Sequence, residues 1–419
     1  MKPKNPLPVV LLTIFLDLLG YGILIPILPQ LLANPAFPGF IYGHPEAVRR
    51  GYILLGFLIA VFPLSQFLAA PILGQFSDRF GRKKIIVYSL MGTAFSHVLF
   101  AWGIHMGSLP ILFIARFLDG VTGGNIAAVQ AAIADVTPPE NRTRNFGLIG
   151  AAFGLGFVVG PFLGGKLSDP SVVSWFDAAT PFWFAAALSL ANVISVIFLF
   201  DETHLTPDHT LAVRWLKSVH NIVRAFGFHR LRAVYATTFL FNCGFSFFTS
   251  FISVYLISRF SFSQSRLGDF FAYVGLWVIV TQGFITRRVS RSFSEPQVLR
   301  LSLILCGSGV LTYFLVKTPS QLFMVVPLFA VFNGLSQANL SGLVSRSVGP
   351  SIQGEIMGIQ SSIQALGHSI PPILAGFLAA GIRPSFPLLV SGGTLILAGV
   401  VFVVTHPSSS MPPPQASRA

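Results

Sequence analysis

Apolar runs of about twenty residues recur twelve times along this chain, and each is long enough to cross a bilayer as one helix. They cover roughly residues 7–32, 51–73, 84–105, 109–135, 145–167, 178–200, 232–257, 267–287, 299–317, 321–345, 353–380 and 385–405. Backbone groups inside lipid must pair within their own segment, so helices are the expected form. The alternating ten-residue segments of a β-barrel are absent. The expected fold class is an all-α membrane protein. Composition agrees, since 53% of the 419 residues are hydrophobic and only 10% are charged. A soluble domain carries about 25% charged residues. The first run is too long for a signal peptide and lacks a small-residue cleavage site, so it reads as a retained span.

The formal net charge of +13 would suggest nucleic acid on a soluble protein. Here the bases sit on short loops between spans, and no nucleic-acid partner is expected. With the N-terminus assigned to the cytoplasm, nineteen of the 27 Lys and Arg residues fall on that side. Seven fall on the outer side: Arg49, Arg50, Lys166, Arg259, Arg266, Lys317 and Arg383. Arg116 lies inside a span. This asymmetry is the positive-inside pattern, and it puts both termini in the cytoplasm. Cys243 and Cys306 fall within spans and offer neither a disulfide framework nor metal spacing. No nucleophile–base constellation or phosphate loop is present. Neither an enzyme nor a cofactor nor a metal is expected, and the chain is expected to act as a monomer in the lipid bilayer.

The longest polar stretch between spans, residues 201–231, separates six spans in residues 1–200 from six in 232–405. It is basic and weakly amphipathic, and it reads as a cytoplasmic linker along the inner membrane surface. Residues 406–419, rich in Pro and Ser, read as a disordered cytoplasmic tail. The two halves look like copies. Gly74, Arg79 and Arg82 recur as Gly283, Arg288 and Arg291; Gly147, Gly156, Pro161 and Gly165 recur as Gly358, Gly367, Pro372 and Gly376. Six spans per half make both copies enter the membrane in the same sense. Such a parallel repeat resembles the major facilitator fold, in which twelve helices form two pseudo-symmetric six-helix bundles with a substrate site between them near midplane.

The loop between spans 2 and 3 reads GQFSDRFGRKK, residues 74–84. A plain topology signal would account for Arg79, Arg82, Lys83 and Lys84, but not for Gly74, Asp78 or Gly81. Gly74 allows close helix approach, Asp78 can dock on a helix N-terminus, and Gly81 allows a tight turn. The stretch resembles the loop signature of the major facilitator superfamily, G-x-x-x-D-R-x-G-R-[RK]. That resemblance implies a gate in which Asp78, Arg82 and Asp135 latch the halves when the cavity faces outward. The second-half copy carries Arg287 where the acid would stand, so the latch is expected on one side only.

Span 5, GLIGAAFGLGFVVGPFLGG, packs small residues densely. Its Gly156, Gly160, Pro161, Gly164 and Gly165 resemble the antiporter signature of the drug:proton branch. Proline bends the span, and the glycines are expected to let it slide against the facing span of the other half. Asp17 lies about ten residues into span 1, where an acid costs about 2.5–3.5 kcal/mol to insert and marks a functional site by default. Arg116 and Asp119 share one face of span 4. They read either as a self-neutralising pair or, by resemblance to the R-x-x-x-G pattern of proton-coupled members at Arg116 and Gly120, as a coupling element. Whether Asp17 or Asp119 carries the proton stays open. Polar residues Gln66, Asn125, Gln337, Asn339 and Gln364, with Phe241 and Phe245, are candidates for a largely neutral, aromatic cavity wall; Gln282, Asn333, His368 and Phe248 share the description.

Across nearly the whole chain the pattern is most similar to tetracycline-resistance-type exporters, as in LDLLGYGILIPILP and IARFLDGVTGG. That type also has acids in spans 3 and 9 and a histidine in span 8. Here Ser96 stands at the span 3 position, and spans 9 and 8 lack those groups. The resemblance therefore implies a proton-coupled antiporter of the bacterial cytoplasmic membrane that exports hydrophobic or amphipathic small molecules, with its substrate open. The alternatives are a proton-coupled symporter of a metabolite, an exporter of an endogenous product such as a siderophore, and a transporter-like receptor without flux.

Overall fold

The computed structural model describes residues 7–41, 44, 47–137, 142–204, 209, 213–228, 231–346 and 353–406. The expected tail beyond 406 lies outside them. Among the described residues there are no strands. Spans 1 to 6 are Leu7–Ala33, Val48–Phe80, Arg82–His105, Leu109–Val136, Arg142–Leu167 and Thr180–Leu199. Spans 7 to 12 are Arg232–Phe260, Gln264–Val289, Glu295–Leu315, Pro319–Arg346, Gln353–Gly381 and Phe386–Thr405. This is an all-α integral membrane protein. Prolines within spans 1, 2, 5, 10 and 11 are tolerated because neighbouring helices re-satisfy the freed backbone groups.

The duplication is visible in the packing. In the first bundle span 1 lies along span 5, and span 3 along spans 4 and 6; in the second, span 7 lies along span 11, and span 9 along spans 10 and 12. The bundles meet along two seams, span 2 on span 11 and span 5 on span 8. The seams are related by the same repeat. A Cβ at Gly56 would strike the Pro372 carbonyl, and one at Gly268 would lie 3.0 Å from the Pro161 carbonyl oxygen. Likewise Gly376 packs on the Tyr52 backbone, and Gly165 on Gln264 and Gly268. Only glycine permits such backbone approach.

Both seams are tight at one end of the molecule and loose at the other. The loose end carries the start of span 1 and the end of span 12, together with most of the bases. Gly154 shares a helical face with Gly165, eleven residues on, and Gly358 shares one with Gly376, eighteen residues on. Yet nothing among the described residues lies within 4 Å of a Cβ built at Gly154 or Gly358. The bundles thus part toward the basic end and close at the far end. At the far end Lys166 Nζ lies 2.9 Å from Asp269 and 2.7 Å from Ser265 Oγ, and Gln30 donates to the Phe262 carbonyl at 2.9 Å.

The glycines of span 5 divide between two neighbours. Gly156, Gly160 and Gly164, four residues apart, face span 1: a Cβ at Gly160 would lie 2.6 Å from the Leu19 carbonyl oxygen and 2.9 Å from Gly22 Cα. Gly165 lies about 100° further round the helix and alone of this set faces span 8. The expectation that these glycines slide against the other bundle is corrected here for the first three, which are held within their own bundle.

Between the halves, the helix Lys217–Gly227 bridges the basic end. Ser218 donates to the Phe67 carbonyl of span 2, and Asn221 Nδ2 lies 3.2 Å from Ser362 Oγ of span 11. Trp215, Leu216, Val219 and Val223 form an exposed apolar stripe.

Candidate transport site

Asp17, Arg116 and Asp119 come together inside the first bundle. Arg116 and Asp119 are 2% and 7% exposed, with Nη1 2.9 Å from Oδ2. The other carboxylate oxygen of Asp119 lies 3.5 Å from Ser96 Oγ. The rings of Phe62 and Tyr21 cover the guanidinium at 4.7 and 5.7 Å. Cation–π contacts of this kind gain strength when desolvated. Asp17, half-buried one turn before Tyr21, lies within electrostatic range of Asp119, and the buried Asn125 stands nearby with neither amide atom hydrogen-bonded among the described residues. Asn125 reaches this position because span 4 tightens into a 3-10 turn at Gly123–Asn125. Gln66 Nε2 holds that turn, donating to the Gly123 carbonyl at 2.9 Å.

A narrow space lies between the bundles beside this cluster. Span 1 contributes Tyr21, Ile25 and Pro29, span 4 Arg116, span 5 Phe157, and span 7 Thr249 and Ser250. The wall is apolar and aromatic, with a few polar groups. None of the substrate residues named from the sequence lines it. Gln66 is engaged with span 4, and Asn125 is buried. Asn339 is buried, its Nδ2 2.7 Å from the Leu335 carbonyl oxygen. Gln337 and Gln364 are half-buried on spans 10 and 11. Phe245 sits between Phe157 and His368, at 6.3 and 6.1 Å. Phe241 and Phe248, each 1% exposed, pack in the second-bundle core because span 7 is enclosed by spans 11 and 12. Thr249 and Ser250 reach the space instead.

The loop motif has its own geometry. Gly81, with φ 98°, is the single residue between spans 2 and 3, in a conformation that favours glycine. Arg82 is 6% exposed. Its Nη1 lies 2.5 Å from Asp78 and 2.6 Å from Ser77 Oγ, and its Nε 3.1 Å from Asp135. These bonds join spans 2, 3 and 4 of one bundle. A Cβ at Gly74 would lie 3.4 Å from Ala127 Cβ of span 4, and Arg79 lies over the Phe80 ring. Glu202, just past span 6, accepts from the backbone N–H groups of Arg82 and Lys83 at 2.8 and 3.1 Å. A carboxylate there satisfies orphan donors and favours the helix dipole.

Sequence reasoning missed Glu202, Tyr21, His97 and the Lys166–Asp269 pair. A histidine in the middle of span 3 was a readable signal; Glu202 and Asp269 have partners 120 and 103 positions away and gave none.

Two six-helix bundles around a central cavity, with ionisable groups at its wall, define a secondary transporter. Residues 10–372 match the Major Facilitator Superfamily, and the chain belongs to that family. It is similar to the class C tetracycline resistance protein of Escherichia coli, 28% identical over 413 residues and covering 97% of each chain. It is also similar to multidrug resistance protein 2 of Bacillus subtilis (strain 168), 27% identical with 94% of each covered. Among solved structures it resembles the human organic anion transporter MFSD10 (TETRAN), with a TM-score of 0.71 and 25% identity over 95% of this chain and 98% of that one. The protein is a transporter, not an enzyme.

Proposed function

We propose that this protein is a proton-coupled antiporter that exports hydrophobic or amphipathic small molecules by alternating access. The observation that carries the reading is a charge count. Asp17, Asp119 and Arg116 together hold one negative charge beside the cavity, and one proton neutralises them. In a low-dielectric site that is a reason to bind a proton. A cationic amphipath entering the cavity competes with that proton, the sign antiport requires. The tetracycline and multidrug resistance relatives support export.

In this reading the basic end is cytoplasmic and the cavity faces inward. Spans 1 and 5, locked by Gly156, Gly160, Pro161 and Gly164, move as one unit. The span 5–span 8 seam at Gly165 is the moving contact. Gly74, Asp78, Arg79, Gly81, Arg82 and Asp135, with Glu202, shape the cytoplasmic gate of the first bundle. Tyr21, Ile25, Phe157, Thr249 and Ser250 form the substrate wall.

The test is pH-gradient dissipation in everted membrane vesicles, challenged with a panel that includes tetracycline and ethidium. Dissipation in expressing vesicles, lost in Asp17→Asn, supports the reading; none with any compound refutes it. One observation favours a second reading, an organic-anion carrier. Arg116 lines the cavity with an Nε that has no hydrogen-bond partner among the described residues, and the MFSD10 match bears that title. An anion on Arg116 would make Asp119 take up a proton rather than release one. The sign of the proton change on substrate addition separates the two.

A further inference from the structure

We propose that His97 is a third proton-holding residue of the coupling site, exchanging its proton with Asp119. This rests on the proton-coupled reading above. His97 is 4% exposed on span 3, enclosed by spans 1, 4 and 6. From span 6, Ser189 Oγ lies 3.5 Å from Nδ1. From span 1, Gly20 makes room for the ring: a Cβ there would lie 2.9 Å from both Cε1 and Nε2. Nε2 has no hydrogen-bond partner among the described residues. The imidazole lines a closely packed pocket with Ser96, Arg116 and Asp119.

A buried ring nitrogen without a partner is costly, and a hydrophobic residue would fill the same space without that cost. The arrangement makes sense if the nitrogen is used. With Nδ1–H donating to Ser189, Nε2 carries the free lone pair. The charged and titratable groups around it are Asp119 and Arg116 from span 4 and, on span 1 beside Gly20, Asp17 and Tyr21; span 6 presents Ser189. In the transfer, the O–H bond of protonated Asp119 breaks and an N–H bond forms at Nε2. Asp119 becomes a carboxylate and His97 an imidazolium. The total charge of the site is unchanged, and Arg116 keeps its bond to Asp119. The exchange requires the ring or the carboxylate to move into hydrogen-bond reach, since Nε2 has no partner among the described residues in the present arrangement.

The test needs no transported compound, so its failure is separate from failure of the export assay. Full-length protein labelled with ¹⁵N-histidine is titrated in detergent between pH 4 and 9. The resonance absent from His97→Gln identifies His97. We expect Nε2 to gain a proton within that range in the wild-type protein, and its proton affinity to fall at least tenfold in Asp119→Asn. An Nε2 that stays neutral throughout overturns the proposal, with no variant required. So does an affinity unchanged in a folded Asp119→Asn. Gly20→Ala supplies a second arm: pushing the ring away from span 1 should change the affinity at least threefold, and no change there also counts against exchange at this position.

Discussion

Lys166 crosses from span 5 to Asp269 of span 8, its Nζ 2.9 Å from each carboxylate oxygen, and ties the two bundles at the far end. The pair is 29% and 45% exposed, so its worth is on the order of 0–1 kcal/mol. That suits a contact that must break in every cycle. Lys166→Asp should shift the population toward the state open at the far end by up to about fivefold. The swap Lys166→Asp with Asp269→Lys should restore it. Labelling of a cysteine placed at Ser250, on the cavity wall, with a membrane-impermeant reagent reads the shift. Equal labelling in single and double variants would dismiss the tie.

The far-end closure should not itself sense pH in the neutral range. Asp169 also crosses the seam, accepting from the Ser265 N–H at 3.3 Å. Desolvation opposes its ionisation, but hydrogen bonds from the Ser171 hydroxyl and backbone and from Ser265 outweigh it and hold the carboxyl below the usual aspartate range. A lowered value stabilises the closed contact above the ordinary aspartate pKa of 3.8, and the contribution is lost only as pH falls below that. Far-end labelling should therefore be flat from pH 5 to 8 in the triple variant Asp17→Asn, His97→Gln, Asp119→Asn. A slope persisting in that triple variant would assign pH sensing to the seam.

Two glycines one residue apart should fail differently. Gly164 packs on Ile23 of the same bundle and Gly165 on Gly268 of the other. Gly164→Val should lower the melting temperature and the membrane yield, because it wedges a static contact. Gly165→Val should leave melting near that of the wild type but bias the molecule toward far-end opening. Melting curves and cysteine labelling, measured together, check the division. Identical profiles for the two variants would contradict it.

Removing the Glu202 carboxylate should weaken the start of span 3. Glu202→Gln loses charge-assisted acceptance from Arg82 and Lys83, worth about 1 kcal/mol for a cap. Asp78→Asn should leave yield near normal and cut transport strongly, since Arg82 keeps Asp135 and Ser77. Uptake into everted vesicles, normalised to protein in the membrane, separates the two effects.

Asp17→Asn should abolish uphill export and substrate-induced proton release while keeping the fold. Asp119→Asn leaves the buried Arg116 without its counter-charge, and a pair broken on one side costs about 3–5 kcal/mol. It should therefore lose stability as well as coupling. A detergent-solubilised protein with a pH indicator reports proton release. Full release in both single variants would remove these acids from the coupling site.

The sequence by itself determined the twelve spans, the duplication and the bias of bases toward one end. It also marked the acid in span 1, the Arg116–Asp119 pair and the glycine turn between spans 2 and 3. Each of these rests on local hydropathy, residue type or short spacing, which a chain displays without folding. The tertiary structure alone decided which neighbour each glycine of span 5 meets, since Gly164 and Gly165 differ only by the 100° turn of the helix. It alone enclosed Phe241 and Phe248 in the second bundle and brought Thr249 and Ser250 to the cavity. It alone joined Glu202 to the start of span 3, Lys166 to Asp269, and His97 to the pocket of Arg116 and Asp119. Those partners lie on different helices, and their meeting depends on how whole helices rotate and pack, which no short window of sequence encodes.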